Sequence, residues 1–248
     1  MLLGMLCMAQ AKDRIVERPP FLAQNSSSIE IDKIVMSDTV TTVYIKAFYR
    51  PKYWIKIATG SVLKDNNGIL YPIRKGIGIT LDKEFWMPES GEAEFQLTFP
   101  PIPQNVTRLD FSEGDFEGAY KIWGIQLDKK SFGKFKLPKD VIVPKADHKM
   151  TLPDPIVKYD KAILKGRILD YQKGMPDKGS LYYQDVIRDG AQEGKIRIQD
   201  DGTFYHEMNV FMITPCTIMF PFGTIEYLLA PGETTSIVIN LRENARKQ

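Results

Sequence analysis

The sequence predicts an all-β protein made of two antiparallel β-sandwich domains, Ig-like or transthyretin-like, joined by a Lys/Pro-rich linker. Nowhere do apolar residues recur over three turns at the i, i+3, i+4 and i+7 spacing of an amphipathic helix. Short alternating runs rich in Ile, Val, Thr, Tyr and Phe are instead separated by Gly, Pro, Asn and Asp, the pattern of antiparallel strands. A segment rich in lysine and proline divides these runs into two groups, which predicts two domains.

The first domain is predicted to span residues 18–127. Asp65–Gly68 reads Asp-Asn-Asn-Gly and suits a hairpin turn, since Asn and Gly tolerate positive φ. Seven strands within about 110 residues is the spacing of a β-sandwich. The predicted strands are Ile29–Met36, Val40–Tyr49, Tyr53–Ala58, Ile69–Arg74, Gly91–Phe99, Arg108–Ser112 and Ala119–Leu127.

Residues 128–160 are predicted to form an extended linker. The stretch contains four prolines, and nine lysines but no arginine fall between Lys129 and Lys161. Proline favours polyproline II, and like charges repel one another. A basic strip that docks an acidic partner is the alternative, but aspartates within the same stretch dilute its charge and favour the linker.

The second domain is predicted over residues 161–242, as a smaller sandwich of the Greek-key or transthyretin-like kind. Asp200-Asp201-Gly202 predicts a hairpin turn, and Pro231-Gly232 predicts a type II turn. The predicted strands are Ala162–Leu169, Ser180–Ile187, Lys195–Gln199, Thr203–Met212, Cys216–Pro221, Ile225–Ala230 and Thr234–Leu241.

Composition and charge fit a globular chain and argue against a nucleic-acid partner. Of the 248 residues, 43% are hydrophobic and 26% are charged, so the chain can bury a core. The 33 basic and 31 acidic residues leave a net charge of +2, and this balance gives no sign of nucleic-acid binding, which needs a clustered basic face.

Residues 1–11 have the features of a signal peptide. They carry no charged side chain and end in Ala9-Gln10-Ala11, which fits an A-x-A cleavage site. No Lys or Arg precedes the apolar run, so we expect an N-terminally truncated signal peptide; a buried or disordered apolar N-terminus is the alternative. Export predicts a periplasmic or otherwise extracytoplasmic location and no stable membrane span after cleavage. Cleavage would also remove Cys7 and leave Cys216 without a disulfide or redox partner.

Side chains suited to nucleophilic catalysis are scarce. His148 lies in the predicted linker, and His206 lies in a predicted strand where a surface or cross-strand role is favoured over catalysis. Cys216 sits in an apolar strand and is expected to act as a small buried hydrophobic residue. Neither a G-x-S-x-G elbow nor an H-E-x-x-H helix occurs, so we predict no catalytic and no cofactor-binding residues.

The loop Asp110–Glu117 is the best metal candidate in the sequence. Asp110, Glu113, Asp115 and Glu117 supply four closely spaced carboxylates, and calcium prefers several oxygen ligands in a flexible loop. A solvated acidic hairpin loop is the favoured interpretation, because the spacing matches no known calcium loop. No metal site is therefore predicted.

Five aromatic residues, Tyr49, Tyr53, Trp54, Trp86 and Trp123, are candidates for a sugar-stacking platform. The competing interpretation is that aromatic residues fill cores, and Trp54, Phe85, Trp86 and Trp123 have the right size to anchor two sheets. A glycan-binding module requires at least two of the five candidates to lie exposed along one groove.

Several segments carry a family resemblance: Arg50–Ala58 (RPKYWIKIA), Leu81–Glu92 (LDKEFWMPESGE), Phe111–Asp115 (FSEGD) and Lys121–Ile125 (KIWGI). Residues 18–242 resemble the N-terminal region of extracytoplasmic thioredoxin-like (TlpA-like) proteins of Gram-negative bacteria. In that group, β-sandwich modules precede a C-terminal thiol–disulfide oxidoreductase domain. No residue here matches the C-x-x-C motif of that domain, so the resemblance implies envelope location and an accessory role without redox activity.

Three hypotheses of function follow. The first is a non-catalytic cell-envelope interaction or accessory module, whose partner is an unknown protein or the redox domain of a longer homologue. The second is a glycan-binding module. The third is an enzyme of unrecognised type, which predicts a concave pocket holding carboxyl groups with perturbed pKa values.

Overall fold

The structure is a computed structural model that describes residues 13–128, 137–139, 141, 157–184 and 190–246. The predicted signal peptide, Cys7, His148 and most of the predicted linker lie outside the described residues, so what was predicted for them stays a prediction. The chain divides into two compact units, Met1–Ser131 and Phe132–Gln248. No helix within the described ranges is long and apolar enough to cross a membrane.

The first unit is a sandwich of two five-stranded sheets. Their strand orders are β1-β3-β4-β10-β8 and β2-β12-β11-β6-β7, while β5 and β9 form a separate two-stranded ribbon. The strands in its described part are β1 (Arg14–Glu17), β2 (Ala23–Gln24), β3 (Ile29–Met36), β4 (Thr41–Phe48), β5 (Trp54–Ile55), β6 (Val62–Asp65), β7 (Leu70–Pro72), β8 (Lys75–Ile77), β9 (Phe85–Trp86), β10 (Glu92–Phe99), β11 (Arg108–Ser112) and β12 (Lys121–Gln126).

Alternation along each strand builds the core between these sheets. In β4, Val43 and Ile45 are buried, whereas Tyr44 between them faces outward. The opposing sheet contributes Leu63, Leu109 and Ile125, which are fully buried in the same cluster. Burying each such side chain stabilises the fold by about 1.5–3 kcal/mol. The all-β prediction is confirmed.

The hairpin predicted at Asp65–Gly68 forms, but one of its strands was not predicted. Gly68 has a φ of 85°, and Asp65 accepts hydrogen bonds from the N–H groups of Asn67 and Ile69. The hairpin joins β6 to β7. β6 is only four residues long and contains Lys64, so its alternation is too short to be recognised in the sequence. Strand β1 was also missed, and it begins before residue 18.

The second unit packs a three-stranded sheet, ordered β16-β13-β19, with a four-stranded sheet, ordered β15-β14-β17-β18. One pair, β13 with β19, is parallel, so the expectation of purely antiparallel pairing was wrong for this sheet. Its described elements are β13 (Asp160–Leu169), β14 (Lys178–Gln184), β15 (Ala191–Arg197), β16 (Thr203–Val210), β17 (Thr214–Phe220), β18 (Gly223–Leu229), β19 (Thr234–Asn240) and the helix α1 (Leu241–Arg246).

Both predicted turns of the second unit occur, and both carry the chain from one sheet to the other. At Gly202, which has a φ of 80°, the Gln199 N–H donates to Thr203 O over 2.8 Å, next to an antiparallel bridge between Ile198 and Phe204. The predicted hairpin turn therefore forms, but β15 and β16 on its two sides belong to different sheets. At Pro231-Gly232 the glycine has a φ of 79°, and the N–H of Glu233 donates to Ala230 O over 3.2 Å, as in a type II turn.

The short helix α1 follows directly after β19 and was not predicted from the sequence. Its start is explained by Asn240, whose side-chain oxygen accepts the N–H of Arg242 over 3.1 Å as an N-cap does. Glu243 lies in the first turn, where a negative charge is favourable.

Candidate functional site

The segments that carry the family resemblance meet in the first unit. β5 pairs with β9, which places Trp54 directly opposite Trp86. The pairing is extended by the N–H of Met87, which donates to Tyr53 O over 2.8 Å. The N–H of Ala58, at the end of the same segment, donates to the Glu113 carboxylate over 2.8 Å. Segments distant in sequence thus form one surface.

The ribbon of β5 and β9 has one buried side and one exposed side. Ile55 is buried, and Phe85 packs against the core. On the other side, Trp54 is 44% exposed and Trp86 is 60% exposed. Because residues directly opposite in an antiparallel pair project to the same face, the two indoles share the outer face.

This exposure corrects the expectation that Trp54 and Trp86 anchor the core. Alternation gives a two-residue strand one inward side chain, and in β5 and β9 the tryptophan holds the outward position. Trp123 is buried, although it is not part of the described core cluster between the two sheets, and Phe85 packs partly buried against that cluster.

Beside the ribbon lies a groove of about 730 Å³, which we call the aromatic groove. Tyr49 and Tyr53 stand edge to face, with ring centroids 6.3 Å apart and an interplanar angle of 88°. Both rings are exposed, as is Phe116. The groove is lined by the aromatic residues Tyr49, Tyr53, Trp54, Phe116 and Tyr120, by the polar residues Asn25, Ser26, Ser28, Lys56, Glu113 and Glu117, and by Ile55 and Gly118.

Three of the five predicted aromatic candidates therefore line one groove. They are Tyr49, Tyr53 and Trp54, and Trp86 lies across the ribbon from Trp54. Trp123 is buried and does not line the groove. The requirement set for a glycan-binding module, at least two exposed candidates along one groove, is met.

Glu113 holds the wall of the aromatic groove together. Its side chain is buried, at 3% exposure, and its carboxylate accepts the N–H groups of Ala58 and Tyr120 over 2.8 and 2.9 Å. Burial raises the pKa of Glu113, and the two backbone hydrogen bonds only partly oppose that shift. The carboxylate ties the segment after β5 to the segment before β12.

The four acidic residues of the loop Asp110–Glu117 do not converge. Asp110 accepts the N–H of Gly124 over 2.7 Å, whereas Asp115 is exposed and pairs with Lys121 over 2.7 Å, which lowers the pKa of Asp115. Glu117 lines the aromatic groove. Nowhere in the described part of the chain do three His, Cys, Asp or Glu side chains meet in a metal-binding arrangement. The calcium interpretation thus has no ligand set to support it here.

His206 and Cys216 lie in the second unit and are not among the residues that line the aromatic groove. His206 is half-buried beside Gly194, and burial lowers its pKa. Cys216 is buried, as expected, and burial raises the pKa of its thiol to about 11. A thiol in that state is a poor nucleophile.

Two residues of the aromatic groove, Phe116 and Glu113, were not predicted from the sequence in the roles that they have here. Phe116 lies between Gly114 and Gly118 in an acidic loop, and an aromatic residue in such a polar, glycine-rich context is a usable sign of exposure. Glu113 gave no comparable sign, because its partners Ala58 and Tyr120 are joined to it only by tertiary packing.

No family model matches the chain, and no curated protein matches it. Among solved structures, it is similar to pullulanase type I from Bacillus subtilis str. 168 complexed with maltose, with 8% identity and a TM-score of 0.29 over 76% of this chain and 23% of that one. Pullulanase complexed with maltotriose from Anoxybacillus sp. LM18-11 gives 12% identity and a TM-score of 0.26 over 76% and 24%. The Bacillus anthracis TIE protein gives 9% identity and a TM-score of 0.23 over 92% and 39%. The chain thus spans well under half the length of these proteins, and likenesses this distant carry no weight for its function.

Proposed function

We propose that the protein is a non-catalytic binding module and that the aromatic groove of its first unit binds a glycan. The observation that carries the proposal is the exposure of Tyr49, Tyr53, Trp54 and Phe116 along one groove, with Trp86 beside them. Contiguous exposed apolar surface is uncommon on monomeric proteins and marks binding sites. Sugar rings present flat C–H faces that stack on such side chains, while their hydroxyls need polar partners.

Polar groups at the aromatic groove can serve as the partners that sugar hydroxyls need. Lys56 and Glu117 line it together with the serines Ser26 and Ser28. Asn25 has a different task, since its amide donates to Ala119 O and accepts the N–H of Lys121, both over 2.8 Å. Asn25 therefore shapes the wall, and Lys56 and Glu117 are left to contact a ligand.

A binding role fits the groove better than a catalytic one because of Glu113. A buried carboxyl group with a raised pKa is the feature expected of an acid catalyst. Both oxygens of Glu113, however, already accept backbone N–H groups of the groove wall. Its position is explained by the fold, and proton transfer to a ligand would break those contacts.

A second candidate is the docking of a protein partner in the same groove. It is favoured by one observation: the segments that resemble TlpA-like proteins, Arg50–Ala58, Leu81–Glu92 and Phe111–Asp115, are hydrogen-bonded to one another here. In this proposal the protein is an extracytoplasmic accessory module, and its partner is an unknown protein or the redox domain of a longer homologue. Cell fractionation with an antibody against the chain tests the location.

Trp54→Ala and Trp86→Ala test the glycan proposal against a panel of neutral soluble polysaccharides. We expect each variant to lose about tenfold in affinity, or about 1.4 kcal/mol, because stacking on an exposed indole is removed. Isothermal titration gives the affinity, and quenching of tryptophan fluorescence follows the same event, since two of the three tryptophans lie at the site.

Leu70→Ala is the matched control, because Leu70 is an exposed apolar residue of the same unit that does not line the aromatic groove. It should leave the affinity unchanged. The glycan proposal fails if the wild-type protein binds no polysaccharide of the panel, or if Trp54→Ala binds as well as wild type. If the wild-type protein binds no polysaccharide but co-purifies with another protein, and Trp54→Ala loses that protein, the groove docks a protein partner instead.

A further inference from the structure

The second unit carries a cationic surface centred on β15. Lys195 and Arg197 are exposed on either side of the buried Ile196, so both project from the outer face of their sheet. Lys178 on β14 is directly opposite Arg197 and shares that face. Three positive side chains thus lie within two neighbouring strands.

Two depressions adjoin each other at Lys195 and Arg197, and these two side chains line both depressions. One, of about 570 Å³, is also lined by Lys165 of β13 and Tyr205 of β16. The other, of about 500 Å³, adds Lys178 and Met219. No carboxylate is among the described residues that line either depression. We call this combined surface the basic cleft.

Few acidic residues lie near these cations, and most of those that do have other partners. Glu193 shares the outer face of β15 with Lys195 and accepts a hydrogen bond from Ser180 Oγ over 3.3 Å. The Nε atom of Arg197 lies 3.8 Å from the Asp177 carboxylate, which is close to the longest distance for an ion pair, and both side chains are exposed to solvent. Glu207 is engaged by Lys161 and by the hydroxyl of Tyr205, and Asp200 is engaged by Lys173. Within the described ranges, Lys165, Lys178 and Lys195 form no ion pair.

We propose that the basic cleft binds an acidic glycan chain, a ligand class distinct from the neutral glycan assigned to the aromatic groove. Two adjoining depressions that share their cations fit a chain better than a single ion. Arginine and lysine pair favourably with carboxylate or sulfate groups. The ring of Tyr205 is 50% exposed beside those cations, and it offers an apolar face on which a sugar ring can stack.

Polygalacturonate, a uronate chain, is the probe, and its methyl-esterified form is the matched ligand control because it keeps the sugar and removes the charge. The full chain should bind polygalacturonate at low salt, lose affinity as salt is raised, and bind the esterified polymer at least about tenfold more weakly. Failure to bind polygalacturonate at low salt overturns the proposal, whatever happens at the aromatic groove.

Variants separate specific recognition from general charge attraction. Lys165→Ala combined with Lys195→Ala should weaken binding at least about tenfold, and Tyr205→Ala should weaken it several-fold. Lys173→Ala removes the same kind of charge outside the basic cleft and should change affinity less than about twofold. All these side chains are exposed, so folding should be retained.

Two further results would overturn the proposal. Equal effects of Lys173→Ala and Lys195→Ala would show that net charge alone attracts the polymer. Poly-glutamate that binds as tightly as polygalacturonate, with no effect of Tyr205→Ala, would show that the basic cleft takes an acidic protein segment. Trp54→Ala should leave polygalacturonate binding unchanged, which distinguishes this site from the aromatic groove.

Discussion

At the scale of single residues, two buried carboxylates of the first unit behave in opposite ways. Burial raises the pKa of each. Asp65 accepts three hydrogen bonds, from the N–H groups of Ile69 and Asn67 and the hydroxyl of Tyr71, and together they bring its pKa below the ordinary value. Glu113 accepts only two, so burial prevails and its pKa stays raised. The balance between burial and these hydrogen bonds sets the sign of each pKa shift.

Glu113→Gln should destabilise the first unit by about 1–3 kcal/mol, because an amide offers one acceptor oxygen where the wall needs two. The effect should depend on pH. A raised pKa means that the folded state holds its proton more tightly than the unfolded chain, so this stability is present below the ordinary value of 4.5 and is lost as pH rises through the raised pKa. The difference in the free energy of unfolding between the wild type and Glu113→Gln should therefore become smaller as pH increases.

Denaturant unfolding at several pH values measures this difference. All three tryptophans lie in the first unit, so their fluorescence reports on that unit alone. A difference that grows with pH would contradict the assignment of Glu113 as a carboxyl group with a raised pKa.

At the scale of elements, short pieces of strand shape the first unit more than the sequence predicted. The residues of the β6–β7 hairpin turn were predictable, since Asn and Gly at Asn66–Gly68 allow positive φ. β6 itself was not predictable, because four residues that include the exposed Lys64 give too little alternation. Pro72 ends the hairpin on an edge strand, where its missing N–H breaks no ladder bond.

Asp65→Asn should loosen this hairpin by about 1–3 kcal/mol near pH 7, because an amide cannot accept all three hydrogen bonds that the carboxylate receives. The lowered pKa gives the opposite pH dependence from Glu113: the stabilisation is present above the ordinary value of 3.8 and is lost as pH falls through the folded pKa. Urea unfolding followed by tryptophan fluorescence should show the stabilities of the two proteins converging as pH falls below 3.8. If the difference in the free energy of unfolding between the wild type and Asp65→Asn stays constant as pH falls, packing and not charge causes the destabilisation.

At the scale of the whole molecule, each unit has its own sheets. Every strand of the first unit pairs within residues 14–126, and the described core cluster runs from Val16 to Leu127. A unit with its own closed core is expected to fold alone.

A fragment of residues 13–128 should therefore fold in isolation. Its tryptophan fluorescence spectrum and its urea midpoint should match those of the full chain, since the same three tryptophans report in both. A fragment whose midpoint is markedly lower, or which does not fold, would show that the first unit depends on the second for its stability.

The sequence by itself determined the strand-rich class, most strand positions and the three turns, because alternation and the demand for positive φ are local properties of the chain. The burial of Cys216 was equally readable from its apolar neighbours. Only the tertiary structure decided the side of the sheet on which each aromatic residue lies, so Trp123 is buried while Trp54 and Trp86 are exposed. It also decided that Glu113 meets Ala58, that β19 runs parallel to β13, and that Lys165 joins Lys195 in one cleft. Such contacts depend on which strands become neighbours, and a local pattern does not encode that.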